Sequence, residues 1–293
     1  MRPDFLTGAI DLHIHSGPDV VERIGTSIDI ARSAADAGMR AIVLKDHAFP
    51  SFTKAVLTDQ AVDGISVYGG IALNTTVGGL NVRSAKGAIA GGARVLMFPT
   101  YDLPHTANST HRSRLQAEHG FGEPYVSTQI VDDDGRLTPE SERIVEVAAE
   151  NPHVILSNGH VEGRGAVPIM ERARDLGATR LIVEHPNGHP DWFTEDELKR
   201  LIAAGAKFNI SYNPYNPVMG KRSFREVVEI IQFLDPANCC LITDGGQPYN
   251  AMPHITLNVF CEMLYVEGVP LKDIMTMTKV TPALMLGLEP IDA

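Results

Sequence analysis

A single (β/α)8 barrel of the TIM type is the α/β fold that this sequence predicts, on three observations. Eight short, apolar, β-branched runs recur along 293 residues, each followed by a stretch with helical periodicity. Strand alternating with helix implies parallel strands with right-handed crossovers, and eight such units are what a closed barrel needs. Neighbouring runs are centred about 25 to 33 residues apart, the size of one βα unit, with a single interval about twice as long.

In order, the first run is Gly8–His15, and it is followed by Ser27 to Gly38, where Ile28, Ala31, Ala34 and Ala35 share one face. The next three are Ala41–Lys45, Ile65–Leu73 and Arg94–Phe98. Val154–Ser157, Arg180–Val183, Lys207–Ile210 and Cys240–Thr243 complete the eight. Glycines in Ala37-Gly38-Met39, Gly91-Gly92-Ala93, Leu176-Gly177-Ala178 and Ala204-Gly205-Ala206 end helices and turn the chain into the following strand. The long interval, about 101–137, is rich in Gly, Pro, His and Ser, with a turn expected at Asp133-Asp134-Gly135. It follows strand four, so it is expected on the catalytic face as an inserted lid. Thr281–Leu288 reads as a short amphipathic helix closing the barrel. The whole of 1–293 is therefore expected to be one domain.

Composition narrows the partners. Lys+Arg number 25 against Asp+Glu 36, a net charge of −11, which argues against nucleic acid or an anionic membrane. No apolar run is long enough to span a bilayer, and Met1-Arg2-Pro3-Asp4-Phe5 lacks the regions of a signal peptide. Three cysteines, with Cys239 and Cys240 adjacent, cannot build a disulfide framework. The expectation is a cytoplasmic protein acting on a small molecule, with a homo-oligomer compatible.

The 11 histidines carry the chemistry. His13 and His15 sit two apart on the first strand, so alternation turns both to one side. Lys45 and His47 repeat that spacing after the second strand. His160 follows the fifth, His185 the sixth and Asp244 the eighth. In a barrel all these strand ends converge on one mouth. Neutral imidazoles with a carboxylate suit zinc, and also manganese or iron, and such a site makes a hydroxide nucleophile available at neutral pH. Asp46 and Glu184 flank ligands and should orient them from behind.

Asp11-Leu12-His13-Ile14-His15, His160, His185, Asp244 and the tail Thr-Pro-Ala-Leu-Met-Leu-Gly-Leu resemble the amidohydrolase superfamily of metal-dependent barrels. The resemblance covers nearly the whole chain outside the lid. It is greatest to a branch of unassigned substrate that shares Asp-Leu-His-Ile-His-Ser, Val-Leu-Lys-x-His and Val-Gly-Gly-Leu-Asn, here Val77 to Asn81. It implies a hydrolase in which a metal-activated hydroxide attacks an amide, cyclic amide or lactone. Asp244 then moves the proton, and the metal or His160 polarises the carbonyl. The implied ligands are His13, His15, His160, His185 and Asp244, with His47 and Lys45 beside them.

The chain departs from that pattern at strand four, where Met97-Phe98-Pro99-Thr100 offers no bridging lysine or glutamate. Lys45 could supply it from strand two if carboxylated; otherwise it pairs with Asp46 or binds a substrate carboxylate. One or two metal ions are thus open. Asp-Leu-His-Ile-His-Ser with Asp46-His47 is also similar to the polymerase-and-histidinol-phosphatase phosphoesterases, although strand three ends in Asn74 rather than Glu and Gly245 and Gly246 follow Asp244. A metal-dependent decarboxylase on the same barrel is the other alternative.

Around the mouth, Asn74 and the tyrosines of Ser211-Tyr212-Asn213-Pro214-Tyr215 are candidate substrate contacts, the tyrosines as a stiff aromatic wall. Lys221 and Arg222 could bind an anion. His189 and Trp192 are expected to line the opening. His105, His111 and His119 fall in the lid. His153 and His254 read as structural.

Overall fold

The computed structural model describes residues 3–106, 127–216 and 223–291. Eight parallel strands follow one another in sequence order around a single sheet: β1 (Ile10–Ile14), β2 (Ala41–Leu44), β3 (Ser66–Ala72), β4 (Val95–Met97), β5 (Ile155–Ser157), β6 (Leu181–Glu184), β7 (Lys207–Ser211) and β8 (Cys239–Ile242). Closure is made just beyond β8, where the Asp244 N–H donates to the His13 carbonyl at 3.1 Å and the His15 N–H to the Gly245 carbonyl at 2.8 Å. This is the (β/α)8 barrel the alternating pattern predicts, and each of the eight runs overlaps its strand; β6, β7 and β8 each extend one residue past the expected run, to Glu184, Ser211 and back to Cys239.

Apolar alternation splits the interior into two layers. Ile10, Leu12, Val43, Ala72, Met97, Ile155, Ile182 and Ile242 fill the pore, and Met285 and Leu286 of the last helix, Thr281–Leu286, plug its lower end. The larger layer lies between strands and surrounding helices, among them α1 (Ser27–Asp36) and α2 (Phe52–Ala61). Of the five glycines expected to end helices, Gly38, Gly92, Gly177 and Gly205 have positive φ, while Gly91, the residue before Gly92, has φ −81°. Cys239 and Cys240 are buried at the start of β8, as core. Among the described residues no helix is long and apolar enough to cross a membrane.

Strict alternation fails at one place that matters. The β1–β2 register shifts between Asp11 and Ile14, and the Asp11 carboxylate accepts the His13 N–H at 3.0 Å. This irregularity ends regular pairing as the strand reaches the mouth, where both histidines face the cavity side. The connection from β1 to α1 is anchored at its far end by a capping box: Thr26 Oγ1 accepts the Asp29 N–H at 3.2 Å, and Asp29 Oδ2 accepts the Thr26 N–H at 3.0 Å. Thr26→Ala is expected to cost about 1 kcal/mol in urea unfolding while leaving metal affinity unchanged, because the cap holds the loop end and touches no site residue.

Of the inserted interval, residues 101–106 and 127–137 are described. The expected turn is present, with the Gly135 N–H donating to the Asp132 carbonyl at 3.0 Å and Val131 bridging Leu137. His111 and His119 of the lid, like Lys221 and Arg222, lie outside the described residues.

Candidate metal centre

The ends of four strands, β1, β2, β5 and β6, bring five imidazoles into a closed ring. Going round it, centroids are 5.4 Å apart for His13 and His15, 5.1 Å for His15 and His47, and 5.8 Å for His47 and His160. His160 and His185 are separated by 5.4 Å, and His185 and His13 by 5.0 Å. Asp244 joins them from β8, its Oδ1 3.0 Å from His15 Nε2 and 3.5 Å from His13 Nε2. Above them opens a cavity of about 420 Å³, whose wall includes Lys45, His189, Trp192, Asn213 and Tyr249.

Within the ring, His13, His185 and Asp244 each offer a ligand atom, all within 4.8 Å of one another. The His13 tautomer explains why. Its Nδ1 lies 3.1 Å from Glu184 Oε2, a carboxylate that only accepts, so the proton sits on Nδ1 and the lone pair on Nε2. That Nε2 is buried with no hydrogen-bond partner. A buried orphan lone pair costs about 1–3 kcal/mol, and a cation between His13, His185 and Asp244 would satisfy it. The donor set therefore fits a divalent transition metal: two neutral imidazoles and one carboxylate, leaving room for water or substrate.

His15 is engaged otherwise. Arg23 Nη2 lies 3.2 Å from His15 Nδ1, and a guanidinium can only donate, so the His15 proton is on Nε2 and is given to Asp244. Arg23 is itself fixed by Asp19 at 2.6 Å.

Burial keeps His15, His160 and His185 neutral. It lowers His185 to about 4, and it holds His15 and His160 well below the ordinary imidazole value, with neighbouring cations reinforcing it. Burial likewise brings Lys45 down to about 8. The two acids go the other way. For Glu184 burial favours the neutral form, but the attraction and hydrogen bond of His13 outweigh it and bring the carboxyl to about 2. For Asp244 burial is again outweighed, here by the His15 hydrogen bond and the pull of His13 and His185, and its carboxyl stays well below the usual range.

Lys45 Nζ sits 3.1 Å from both ring nitrogens of His47, and among the described residues no carboxylate lies within ion-pair distance of it. Asp46, expected beside it, instead pairs with Lys54 at 2.7 Å. Glu184 orients His13 as expected and is itself held by Ser157 at 3.0 Å and Asn209 at 2.9 Å.

Three expected substrate contacts lie elsewhere. Asn74 is fully buried: its amide donates to the His47 carbonyl and to Thr100 Oγ1, both at 2.8 Å, and its oxygen accepts the Thr100 N–H at 2.8 Å. It thereby ties the ends of β2, β3 and β4 together beneath His47, whose Nδ1 is 2.7 Å from that same hydroxyl. Tyr212 packs on Phe260 at 5.6 Å, and Tyr215 on Phe224 at 5.6 Å with its hydroxyl donating to the Asn187 carbonyl. The residues between them, Asn213 and Pro214, line the cavity instead. A short 3-10 turn, Asn213–Tyr215, makes this exchange by rolling the rings back onto the core. His189 stacks on Trp192 at 3.8 Å and both line the opening. His105 donates its Nε2–H to the His160 carbonyl, 2.9 Å away. His153 offers its carbonyl to Arg94 and Arg180 below the barrel, and His254 lies in the helix Pro253–Val266. Arg23, Asn213 and Thr100 are site residues that the sequence pattern did not single out.

Fold and site together define a (β/α)8 barrel whose C-terminal mouth carries a histidine–aspartate group able to hold a divalent cation. Within that class the chain belongs to the family of unknown function DUF6282, whose model matches residues 8–209. No curated protein matches it in sequence. Solved structures share the fold. A variant of a PTE-like lactonase from Deinococcus radiodurans is 16% identical with a TM-score of 0.56, covering 98% of each chain. A proposed 2-pyrone-4,6-dicarboxylic acid hydrolase from Pseudomonas putida is 14% identical with a TM-score of 0.57, over 98% of this chain and 99% of that one. Beta-aspartyl dipeptidase from Fervidobacterium islandicum AW-1 is 12% identical with a TM-score of 0.58, over 96% and 73%. The fold expected from the amidohydrolase resemblance is the fold observed.

Proposed function

We propose that the protein is a metal-dependent hydrolase that cleaves an amide, cyclic amide or lactone of a small molecule. The observation that carries this reading is the buried, unpartnered His13 Nε2 facing His185 and Asp244. The lactonase and dipeptidase that share the fold support the substrate class.

His13, His185 and Asp244 would hold the ion, zinc by donor type. When bound, such an ion lowers the pKa of a coordinated water toward about 7 and polarises the bond under attack. The protein's own groups do the rest. Asp244, kept ionised, can accept the water's proton and return it to the leaving group. His160, buried and neutral, lies on the cavity wall as a hydrogen-bond partner for the substrate's carbonyl oxygen. Lys45 decides the ion count: carboxylated, it adds oxygens for a second ion together with His47 and His160; unmodified, its ammonium holds a substrate oxygen.

Metal analysis of the purified protein, followed by assay of the zinc-loaded form on lactone, amide, ester and phosphoester panels, tests the reading. Turnover of a lactone or amide, lost on chelation and restored by zinc, is expected. Turnover that survives exhaustive chelation sinks it, and turnover of phosphoesters alone, or release of carbon dioxide, transfers the site to one of the two other chemistries.

A further inference from the structure

Asp244 leaves β8 in the left-handed region, φ 49°, so regular strand pairing does not fix the direction of its side chain. What does fix it is a set of neutral amides from the two loops after β7 and β8. Asn213 Nδ2 lies 3.2 Å from Asp244 Oδ2. An ionised carboxylate only accepts, so the amide nitrogen of Asn213 must face it, and the amide oxygen must face away. That oxygen receives two donors, Asn216 Nδ2 at 2.7 Å and Asn250 Nδ2 at 3.4 Å. Asn250 also donates to Gln247 Oε1 at 2.6 Å, and Gln247 Nε2 donates to the Asp244 carbonyl at 2.7 Å. The circuit starts at the Asp244 carboxylate and ends at its own main chain. With Asn213 on Oδ2 and His15 on Oδ1, both oxygens are held from outside the ligand group.

We infer that Asn213 is a positioning residue: its amide, locked by Asn216 and Asn250, sets the direction in which Asp244 presents its carboxylate to the metal. This rests on the reading of Asp244 as a ligand. The choice of a neutral donor is part of the device, since a lysine or arginine there would compete with the cation for the carboxylate charge.

Zinc affinity, measured against a chromophoric chelator with zinc as the only ligand, tests it without a substrate. Loss of an outer partner of a ligand costs about 10–100-fold in metal affinity, and Asn213→Ala is expected to fall in that range. Asn250→Ala should lose less, and the double variant no more than Asn213→Ala alone, because both act through one amide. Urea unfolding of the metal-free variants should match the wild type; if Asn213→Ala is unstable, Asn250→Ala carries the measurement, and wild-type affinity there overturns the circuit. If Asn213→Ala binds zinc like the wild type while Asp244→Asn does not, the inference is wrong and the metal centre stands. Wild-type affinity in Asp244→Asn as well overturns both.

Discussion

Exchanging Asp244 for asparagine is expected to leave the barrel folded and to weaken zinc binding by about a thousandfold, with hydrolysis falling in step, since losing a ligand must exceed the ~10–100-fold cost of losing an outer partner. The substitution keeps shape and can keep the His15 hydrogen bond through its oxygen; what disappears is the negative charge facing His13 and His185 and the acceptor of the Asn213 amide, which then meets an NH2 group. His13→Ala should match it, because that variant deletes the buried, unpartnered Nε2 that faces His185 and Asp244. His15→Ala should cost only about 10–100-fold, as an outer partner does, since Arg23 and Asp244 already engage both ring nitrogens. Chelator competition on the three variants ranks them. A loss in His15→Ala as large as in His13→Ala would make His15 a ligand, as the superfamily resemblance implies.

The second large effect belongs to Glu184. Glu184→Gln is nearly silent in hydrogen bonding: the amide oxygen can accept from His13 and Asn209 while the amide nitrogen faces the Ser157 hydroxyl, which can accept. The variant therefore removes charge alone. Folding carries the Glu184 carboxyl from an ordinary value of 4.5 to about 2. A depressed folded value means stability that is fully present above the unfolded value and lost as pH falls through about 2. The gap corresponds to about 3 kcal/mol. Urea unfolding of metal-free protein should thus show the wild type losing stability between pH 4.5 and about 2. Glu184→Gln, about 3 kcal/mol weaker at neutral pH, should lose that part of the slope. Parallel pH curves for the two proteins would sink the assignment. Zinc affinity should also drop about 10-fold, since the amide oxygen keeps the His13 tautomer but no longer supplies the negative charge that makes His13 a more basic ligand.

The barrel was legible because its determinants are local and repeated: eight apolar runs, helix-ending glycines, and strand ends such as His13, Lys45 and Asp244 that the topology must gather. Ligand candidates were legible for the same reason. The residues that tune them were not. Arg23 reaches His15 from a loop whose path no periodicity dictates, and Asn213 finds Asp244 only because a 3-10 turn follows β7. That turn also turns Tyr212 and Tyr215 away from the cavity, so an aromatic wall inferred from residue type gave way to local geometry. Asn74 looked like a free polar group at a strand end. Its environment assigns it otherwise, because buried N–H groups of Thr100 and Tyr101 need an acceptor and Asn74 Oδ1 is the one in reach.

His185 and Asp244 share a backbone state with consequences of its own. Both occupy the left-handed region, at φ 54° and 49°, where residues with a Cβ sit at a cost of order 1 kcal/mol. Glycine at either position would relax the backbone. In a directed-evolution campaign that rewards heat resistance alone and supplies no zinc, these two positions therefore drift toward glycine, and the survivors are sturdier barrels with nothing in their mouths. Screening in the presence of the ion reverses that pressure, because binding to the folded state alone adds its own stabilisation and makes the strained pair worth keeping.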